Sequence, residues 1–492
     1  MDGAPALELE NISYTYEGAA DPALKDIRLT VMPGEWIWIA GPDDAGKTTL
    51  CRLLSGMLHA WPGGKLEGGL RMDGIDRTAS ASLELAGRLG VIFQDPEAGL
   101  VHEYVEDELA FGPENLRVPR EEISERIDRA LAAVGLPDDA RGKRIRELSG
   151  GQQQRASIAS VLTMQPAILV LDDAAANLDG PSAERLIGIL KQLHTQGRTI
   201  IAVSSRVPEP VPADRILLLH EGRFAAEVHA ASLALAERRE PFIRCGCMDA
   251  LHSAPAPAPA PAHRAAAEAS GSREALLSVR KLTYDYRPHR SESGPPLINQ
   301  VRLELCRGDF AAVLGPNGCG KTTFGKLLAG LIPAPSHSVF LRGRDLTDYS
   351  VKELSAAVGY VFQQPEHQFV ADRVLDELMF GHSLHREEAE RRLEQFGLLR
   401  YAMQHPHQLS AAGKRMLGLA SAMLGHPDLL VLDEPTAGMD LHSANRLMAV
   451  CAEYAAQGKA VIMITHDLSV VRHWATEIFH LSGSGFETFT AF

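Results

Sequence analysis

Two glycine-rich loops of one design constrain this chain more than any other feature. The first reads Gly41-Pro42-Asp43-Asp44-Ala45-Gly46-Lys47-Thr48-Thr49, and the second reads Gly315-Pro316-Asn317-Gly318-Cys319-Gly320-Lys321-Thr322-Thr323. Both fit G-x-x-x-x-G-K-[ST], in which backbone N–H groups and a helix N-terminus cradle phosphates. The run Phe310-Ala311-Ala312-Val313-Leu314 predicts a strand feeding the second loop, and residues 322–331 predict the helix that leaves it. Such a loop needs its own strand and helix, so the pair requires two duplicated domains.

The duplication extends well beyond the loops. Leu7-Glu8-Leu9 to Tyr16 matches Leu277-Ser278-Val279 to Tyr286, and Gly90-Val91-Ile92-Phe93-Gln94 matches Gly359-Tyr360-Val361-Phe362-Gln363. Residues 149–166 and 410–427 match without a gap. Ile168 to Leu171, Leu429 to Leu432 and Ala460 to Ile464 are strand-sized apolar runs. Strands alternating with helices predict an α/β fold whose sheet is mostly parallel and covered on both faces. The predicted domains are residues 1–235 and 275–492, joined by a linker over 236–274. Within it, Ala254 to Ala262 alternates alanine and proline, which favours a semi-rigid polyproline II spacer.

A length of 492 residues gives each copy room for its own core. Apolar residues make up 45% and charged residues 23%, as in soluble globular proteins, and no apolar run approaches a membrane span. The net charge of −14 argues against a general nucleic-acid binder. Six scattered cysteines suit a reducing compartment, and Cys245-Gly246-Cys247 lacks further ligands nearby for a metal. The histidines at 382, 385, 405 and 407 read as solvated, and residues 386–394 read as a charged helix face. The first ten residues, MDGAPALELE, are polar and acidic, unlike a targeting segment.

The loop chemistry assigns Lys47 and Lys321 to the β- and γ-phosphates of a nucleotide, and the hydroxyls of Thr48 and Thr322 to Mg2+. The remaining contacts are expected from the loop residues Gly41, Gly46, Thr49, Gly315, Asn317, Gly318, Cys319, Gly320 and Thr323. Asp43 and Asp44 put carboxylates where phosphates must lie, so the first loop is expected to bind nucleotide weakly unless these side chains turn outward. Cys319 at a helix N-terminus is either a reactive thiol that ATP would protect or an ordinary small buried residue. Asp172 and Asp433, at the ends of apolar strands, are expected to hold Mg2+, directly or through water. The next residue should polarise the attacking water: Glu434 in the second half, Asp173 in the first. Aspartate is one methylene shorter, about 1.5 Å, and a misplacement of about 1 Å costs about a hundredfold. His466 follows the next strand of the second half, where the first half has Ser205.

Leu148-Ser149-Gly150-Gly151-Gln152 is matched in the second half by Leu409-Ser410-Ala411-Ala412-Gly413. With the phosphate loops, Gln94 and Gln363, the acid-ended strands and the histidine, this pattern resembles the ATPase domains of ABC transporters over nearly the whole chain. The resemblance implies two P-loop NTPase domains in tandem, each with a helical subdomain carrying the Leu-Ser-Gly-Gly-Gln signature. It further implies head-to-tail pairing, with each ATP between the phosphate loop of one domain and the signature of the other. One site then combines Lys321, Asp433, Glu434 and His466 with Ser149, Gly150, Gly151 and Gln152. The other combines Lys47, Asp172, Asp173 and Ser205 with Ser410 to Gly413, and is defective on both sides. By the same resemblance Gln94 and Gln363 join the Mg2+ ligands. Glu434, His466 and Gln363 carry catalysis, with Asp173 a weak participant. Tyr16 and Tyr286 either stack on adenine or pack within strands. Asp179 and Asp440 resemble a loop at the interface of such domains.

The stretches Phe93-Gln94-Asp95-Pro96-Glu97 and Phe362-Gln363-Gln364-Pro365-Glu366, with Glu108-Leu109-Ala110-Phe111-Gly112 and Glu377-Leu378-Met379-Phe380-Gly381, resemble the ATPases of energy-coupling factor (ECF) importers. That likeness implies an integral membrane coupling subunit, a substrate-binding membrane subunit, uptake of a vitamin or transition-metal ion, and residence on the cytoplasmic face of the cell membrane. The regions around Leu100-Val101 and Phe369-Val370 would face the coupling subunit. A monosaccharide-type tandem importer ATPase is the nearest rival, but its defective half is usually the C-terminal one. A soluble tandem ATPase acting on ribosomes or DNA is a second rival. The Ala/Pro-rich linker and the lack of zinc-binding insertions disfavour it.

Overall fold

The computed structural model describes residues 4–60, 63–78, 87–93, 99–148, 150–176, 178–249, 274–286, 296–381, 384–482 and 485–489. The chain forms two compact units, one of residues 1–250 with 438–441 and one of residues 251–437 with 442–492.

In the first unit, strands β1 (Leu7–Thr15), β2 (Leu24–Val31) and β3 (Trp36–Ala40) lead into helix α1 (Lys47–Leu54). Strands β4 (Lys65–Met72), β5 (Ile75–Asp76) and β6 (Leu89–Ile92) precede three helices, α2 (Val105–Asn115), α3 (Arg120–Ala133) and α4 (Gly150–Thr163). The unit continues through β7 (Ile168–Asp172), α5 (Gly180–Thr195), β8 (Thr199–Ser204), β9 (Arg215–His220), β10 (Arg223–His229) and α6 (Ala236–Arg244). The main sheet has the order β10-β9-β3-β8-β7-β6. All neighbours in it are parallel except β10 against β9. A second, antiparallel sheet has the order β2-β1-β4-β5.

The second unit repeats this plan. Strands β11 (Ala275–Tyr284), β12 (Ile298–Cys306) and β13 (Phe310–Leu314) lead into α7 (Lys321–Leu328). Next come β14 (Val339–Leu341), β15 (Arg344–Asp345), α8 (Val351–Ala357) and β16 (Val358–Val361). Helices α9 (Val374–Met379), α10 (Arg386–Gln395) and α11 (Ala411–Met423) form the helical part. The unit closes with β17 (Leu429–Asp433), α12 (Leu441–Ala456), β18 (Ala460–Ile464), α13 (Leu468–Trp474), β19 (Glu477–Ser482) and β20 (Gly485–Phe489). Its main sheet, β16-β17-β18-β13-β19-β20, has the same strand order and the same single antiparallel edge.

The interiors of the central strands are continuous apolar runs because both faces are covered. Alternate residues divide between two cores: Trp36, Trp38, Leu169, Leu171, Ile200 and Ala202 pack on one side of the first sheet, and Ile37, Ile39, Ile168, Val170, Ile201 and Val203 on the other. This is the period-two alternation of a strand. Each such side chain withdrawn from water contributes about 1.5–3 kcal/mol.

Three expectations change. The linker predicted from residue 236 begins later, because Ala236–Arg244 is a helix and Phe242, Cys247 and Met248 are buried in the core of the first unit. The alanine–proline run lies outside the described residues. The helix after the second loop ends at Leu328 rather than at 331, because Gly330 takes a left-handed conformation, φ 66°, just past its end. The antiparallel sheets on β1 and β11 are an addition to the predicted plan.

Candidate nucleotide sites

Parallel register builds both sites from the carboxyl ends of neighbouring strands. In the first unit Ala40 pairs with Ser204 and Asp172 with Val203. In the second, Val313 and Asp433 both pair with Ile464. Phosphate loop, acid and the residue after the next strand, Ser205 or His466 (the switch position), therefore meet at the carboxyl end of the main sheet in each unit.

The two phosphate loops share a backbone. Gly46 and Gly320 both have φ 99°, with ψ 11° and 14°. Asp44, at φ 62°, occupies the left-handed position of Gly318, at φ 80°, a conformation aspartate tolerates better than most residues. Its side chain is exposed. A Cβ on Gly41 or Gly315 would come within 2.6 or 2.5 Å of the Leu219 or Leu481 carbonyl oxygen, so neither position admits a side chain. Lys47 Nζ donates to the carbonyls of Gly41 and Pro42 at 2.8 and 2.7 Å. Lys321 Nζ donates to those of Gly315 and Pro316 at 2.7 and 3.1 Å. Both ammonium groups thus curl into their loops. Tyr16 and Tyr286 hydrogen-bond through their hydroxyls to Thr49 and Thr323 at 3.1 and 3.2 Å. Each ring stands edge-on to the tyrosine two residues earlier. Cys319 is half-buried beside Gly315.

The acid positions also share a backbone. Asp173 and Glu434 both have φ 48°, and their N–H groups donate to Val203 and Ile464 carbonyls at 2.8 Å. A non-glycine residue in this region is uncommon and costs of order 1–3 kcal/mol. The side chains then diverge. His466 Nδ1 lies 3.0 Å from both carboxylate oxygens of Glu434. Burial alone would lower the imidazole pKa, but the hydrogen bond and the charges of Glu434 and Asp467 hold it above its ordinary value. Ser205 Oγ lies 3.3 Å from Asp173 Oδ2. Burial lifts Asp173 to about 6, opposed by the Lys47 charge and reinforced by Asp172.

The Mg2+ candidates differ as well. Thr322 Oγ1 donates to Asp433 Oδ1 at 3.2 Å, a set of hard oxygen donors that fits Mg2+. Burial raises the pKa of Asp433, while bonds from Thr322 and Tyr360 lower it. In the first unit Thr48 is exposed, and burial raises the pKa of Asp172, opposed by the nearby Cys51 thiol and the Lys47 charge. Gln363 is exposed, and its backbone carbonyl rather than its amide is tied down, by Arg415 Nη1 at 3.4 Å. Among the described residues its amide makes no hydrogen bond to Asp433 or Glu434. Gln94 and Ser149 lie outside the described residues.

Gly150, Gly151 and Gln152 open helix α4, and a Cβ on Gly150 would meet nothing within 4 Å. In the second unit Ser410 caps α11, its hydroxyl accepting from Gly413 N at 3.2 Å. Sequence reasoning missed Arg415, which is buried and donates to the Glu434 carbonyl at 2.9 Å. It also missed Tyr360 and Cys51. Their signal was present in the repeat, where Cys51 matches Gly325 and Tyr360 matches Val91.

The loops expected to face a partner have one shared device. Buried Glu108 accepts the N–H groups of Val101 and His102 at 2.9 Å, and buried Glu377 accepts those of Val370 and Ala371 at 2.8 Å. Val101 and Val370 remain 69% and 63% exposed at the tips so held. No helix among the described residues is long and apolar enough to cross a membrane.

The sequence family described as ABC transporter matches residues 24–176 and 298–437. A protein of Methanosarcina acetivorans, provisionally named an ABC transporter ATP-binding protein, is 32% identical over 97% of this chain and 84% of its own length. A protein of Bacillus subtilis, provisionally named the HMP/thiamine import ATP-binding protein YkoD, is 32% identical over 97% of this chain and 90% of its own. Among solved structures, cbiO1 of Clostridium perfringens, described as part of the ABC transporter complex cbiONQ, is 28% identical. That match covers 49% of this chain and 95% of cbiO1, with a TM-score of 0.44.

Proposed function

This chain belongs to the ABC transporter ATP-binding proteins, and on that premise we propose that it is the ATP-hydrolysing, energy-coupling subunit of an ECF-type importer for a vitamin or transition-metal ion. It works as one full and one impaired ATP site. The observation that carries this reading is the pair of unlike acid–switch couples on like backbones, Glu434 with His466 and Asp173 with Ser205.

In this reading each ATP is held by the phosphate loop of one half and the signature stretch of the other. Lys321 leaves the loop carbonyls for the β- and γ-phosphates, while Ser149, Gly150, Gly151 and Gln152 approach from the opposite side. Thr322 and Asp433 would hold Mg2+, which would supply positive charge against the developing negative charge of the phosphates. Glu434 accepts a proton from the attacking water, and His466 holds that carboxylate in place and reaches for the γ-phosphate. In the first half the Asp173 carboxylate stands too far back, and its raised pKa leaves it a poorer acceptor at low pH. The impaired site holds nucleotide as a support and turns over slowly.

One relative named for import supports an importer over a soluble factor. The exposed Val101 and Val370 loops, each pinned from behind by a buried glutamate, suit docking to a membrane coupling subunit at the cytoplasmic face. An apolar cavity of about 530 Å³ in the second unit, lined by Leu327, Leu331, Val351, Leu354 and Tyr360, suits the same role. Affinity purification from native membranes tests this: integral membrane subunits should co-purify, and Phe369→Asp should abolish transport while ATPase activity of the purified chain persists. Recovery of ribosomes instead, or normal transport by the variant, refutes the proposal.

A further inference from the structure

The strand before Gln363 carries a donor that the first unit lacks. Tyr360, on β16, donates its hydroxyl to Asp433 Oδ2 at 3.0 Å, while Thr322 donates to Oδ1 at 3.2 Å. The two oxygens of Asp433 are thus engaged from different elements, one from α7 and one from β16. The phenol is packed for this purpose: it is half-buried, edge-on to Phe362 at 4.9 Å. Gly325 on α7 packs beside the ring, and its lack of a side chain spares Ile464 more than Tyr360. A Cβ there would lie 3.4 Å from Tyr360 Cε2 and 2.7 Å from Ile464 Cδ1.

In the first unit the same two positions are Cys51 and Val91. Val91 has no donor, and the polar group near Asp172 on the helix side is the Cys51 thiol instead. Two positions distant in sequence have therefore exchanged size and donor together. One unit pairs a bare helix position with a long phenol on the strand. The other pairs a thiol on the helix with a short strand residue. A phenol bonded to a carboxylate is a charge-assisted donor, whereas a thiol is a weak one.

We propose that Tyr360 is a positioning residue that orients the metal-binding carboxylate of the second unit, a donor that the first unit does not carry at the matching Val91. One oxygen of Asp433 is held by a donor that stays with the protein, so the other is presented in a single orientation. Thr322, the second partner of Asp433, is itself a metal-ligand candidate, so Tyr360 is the partner that can remain when the metal arrives. This inference rests on the reading of Asp433 as an Mg2+ ligand.

The test uses the full chain with Lys47→Ala, which silences the first loop, with and without Tyr360→Phe. A fluorescent ATP analogue is bound first in EDTA and then during a Mg2+ titration. Tyr360→Phe should leave the metal-free Kd unchanged and raise the half-saturating Mg2+ concentration on the order of tenfold, the low end for removing a partner of a metal ligand. If Tyr360→Phe lowers Tm appreciably, Tyr360→Val, which places the first unit's residue there and leaves Gly325 untouched, takes its place with a shift of the same sign. An unchanged Mg2+ requirement overturns the inference, as does metal-free binding that weakens in parallel. A parent protein with no Mg2+ dependence overturns the assignment of Asp433 beneath it.

Discussion

Asp173 and Glu434 begin from the same backbone conformation and end in different chemistry. Both stand at φ 48° after a buried strand, and both face the switch position of the next strand. One methylene and one imidazole separate the two couples. Evolution of a duplicated domain can evidently conserve the scaffold to within a few degrees while the reacting groups drift. Backbone geometry is enforced by the sheets and loops beneath, whereas a side-chain tip answers only to its own site. Under the proposed function, the first unit is a retained binding frame with weakened chemistry.

The widest separation between the units is expected in turnover. Glu434→Gln should lower kcat by about 10²–10⁴, the worth of a positioned base, while Asp173→Asn leaves most steady-state hydrolysis in place. Equal losses in single-turnover and steady-state assays would erase the comparison. A smaller effect should follow when the second couple is made to resemble the first. His466→Ser removes the contact that holds Glu434, and a loss of about a hundredfold in kcat with a modest change in KM is expected from carboxylate misplacement. A kcat within twofold of the parent would mean that the imidazole contributes nothing the hydroxyl cannot.

The smallest effect is one of stability. Asp173 has a folded pKa of about 6, above the ordinary 3.8, so the folded chain holds this proton more tightly than the unfolded chain does. That preference favours the fold at low pH and is progressively lost as pH rises from about 4 through 6. Asp173→Asn removes the cost of burying the charge. It should raise Tm by a few degrees at pH 7.5, and the gain should shrink toward pH 4.5. A gain that grows on acidification reverses the sign and contradicts the burial argument.

Much of the fold was legible in the chain. The strand predicted at Phe310–Leu314 and that at Ala460–Ile464 occupy those residues, because five-residue apolar runs beside a glycine loop have few other homes. The acid-ended strands were equally plain. What escaped was contact between distant residues. Phe242 reads as part of a linker until its side chain is found in the core. Arg415 drew no notice in the sequence, yet it is buried against the Glu434 carbonyl. The exposed amide of Gln363 shows the converse, a motif residue that the structure ties by its backbone instead.

The order of residues was enough to establish two phosphate loops, two acid-ended strands and their unlike neighbours, since these are local patterns with a fixed period. Only the folded sheets could decide which groups face Asp172 and Asp433. Gly325 and Tyr360 are separated by two short strands and a helix along the chain, and they meet solely because α7 and β16 flank the same strand end. A hydrogen bond acts over about 3 Å, whatever the distance along the chain.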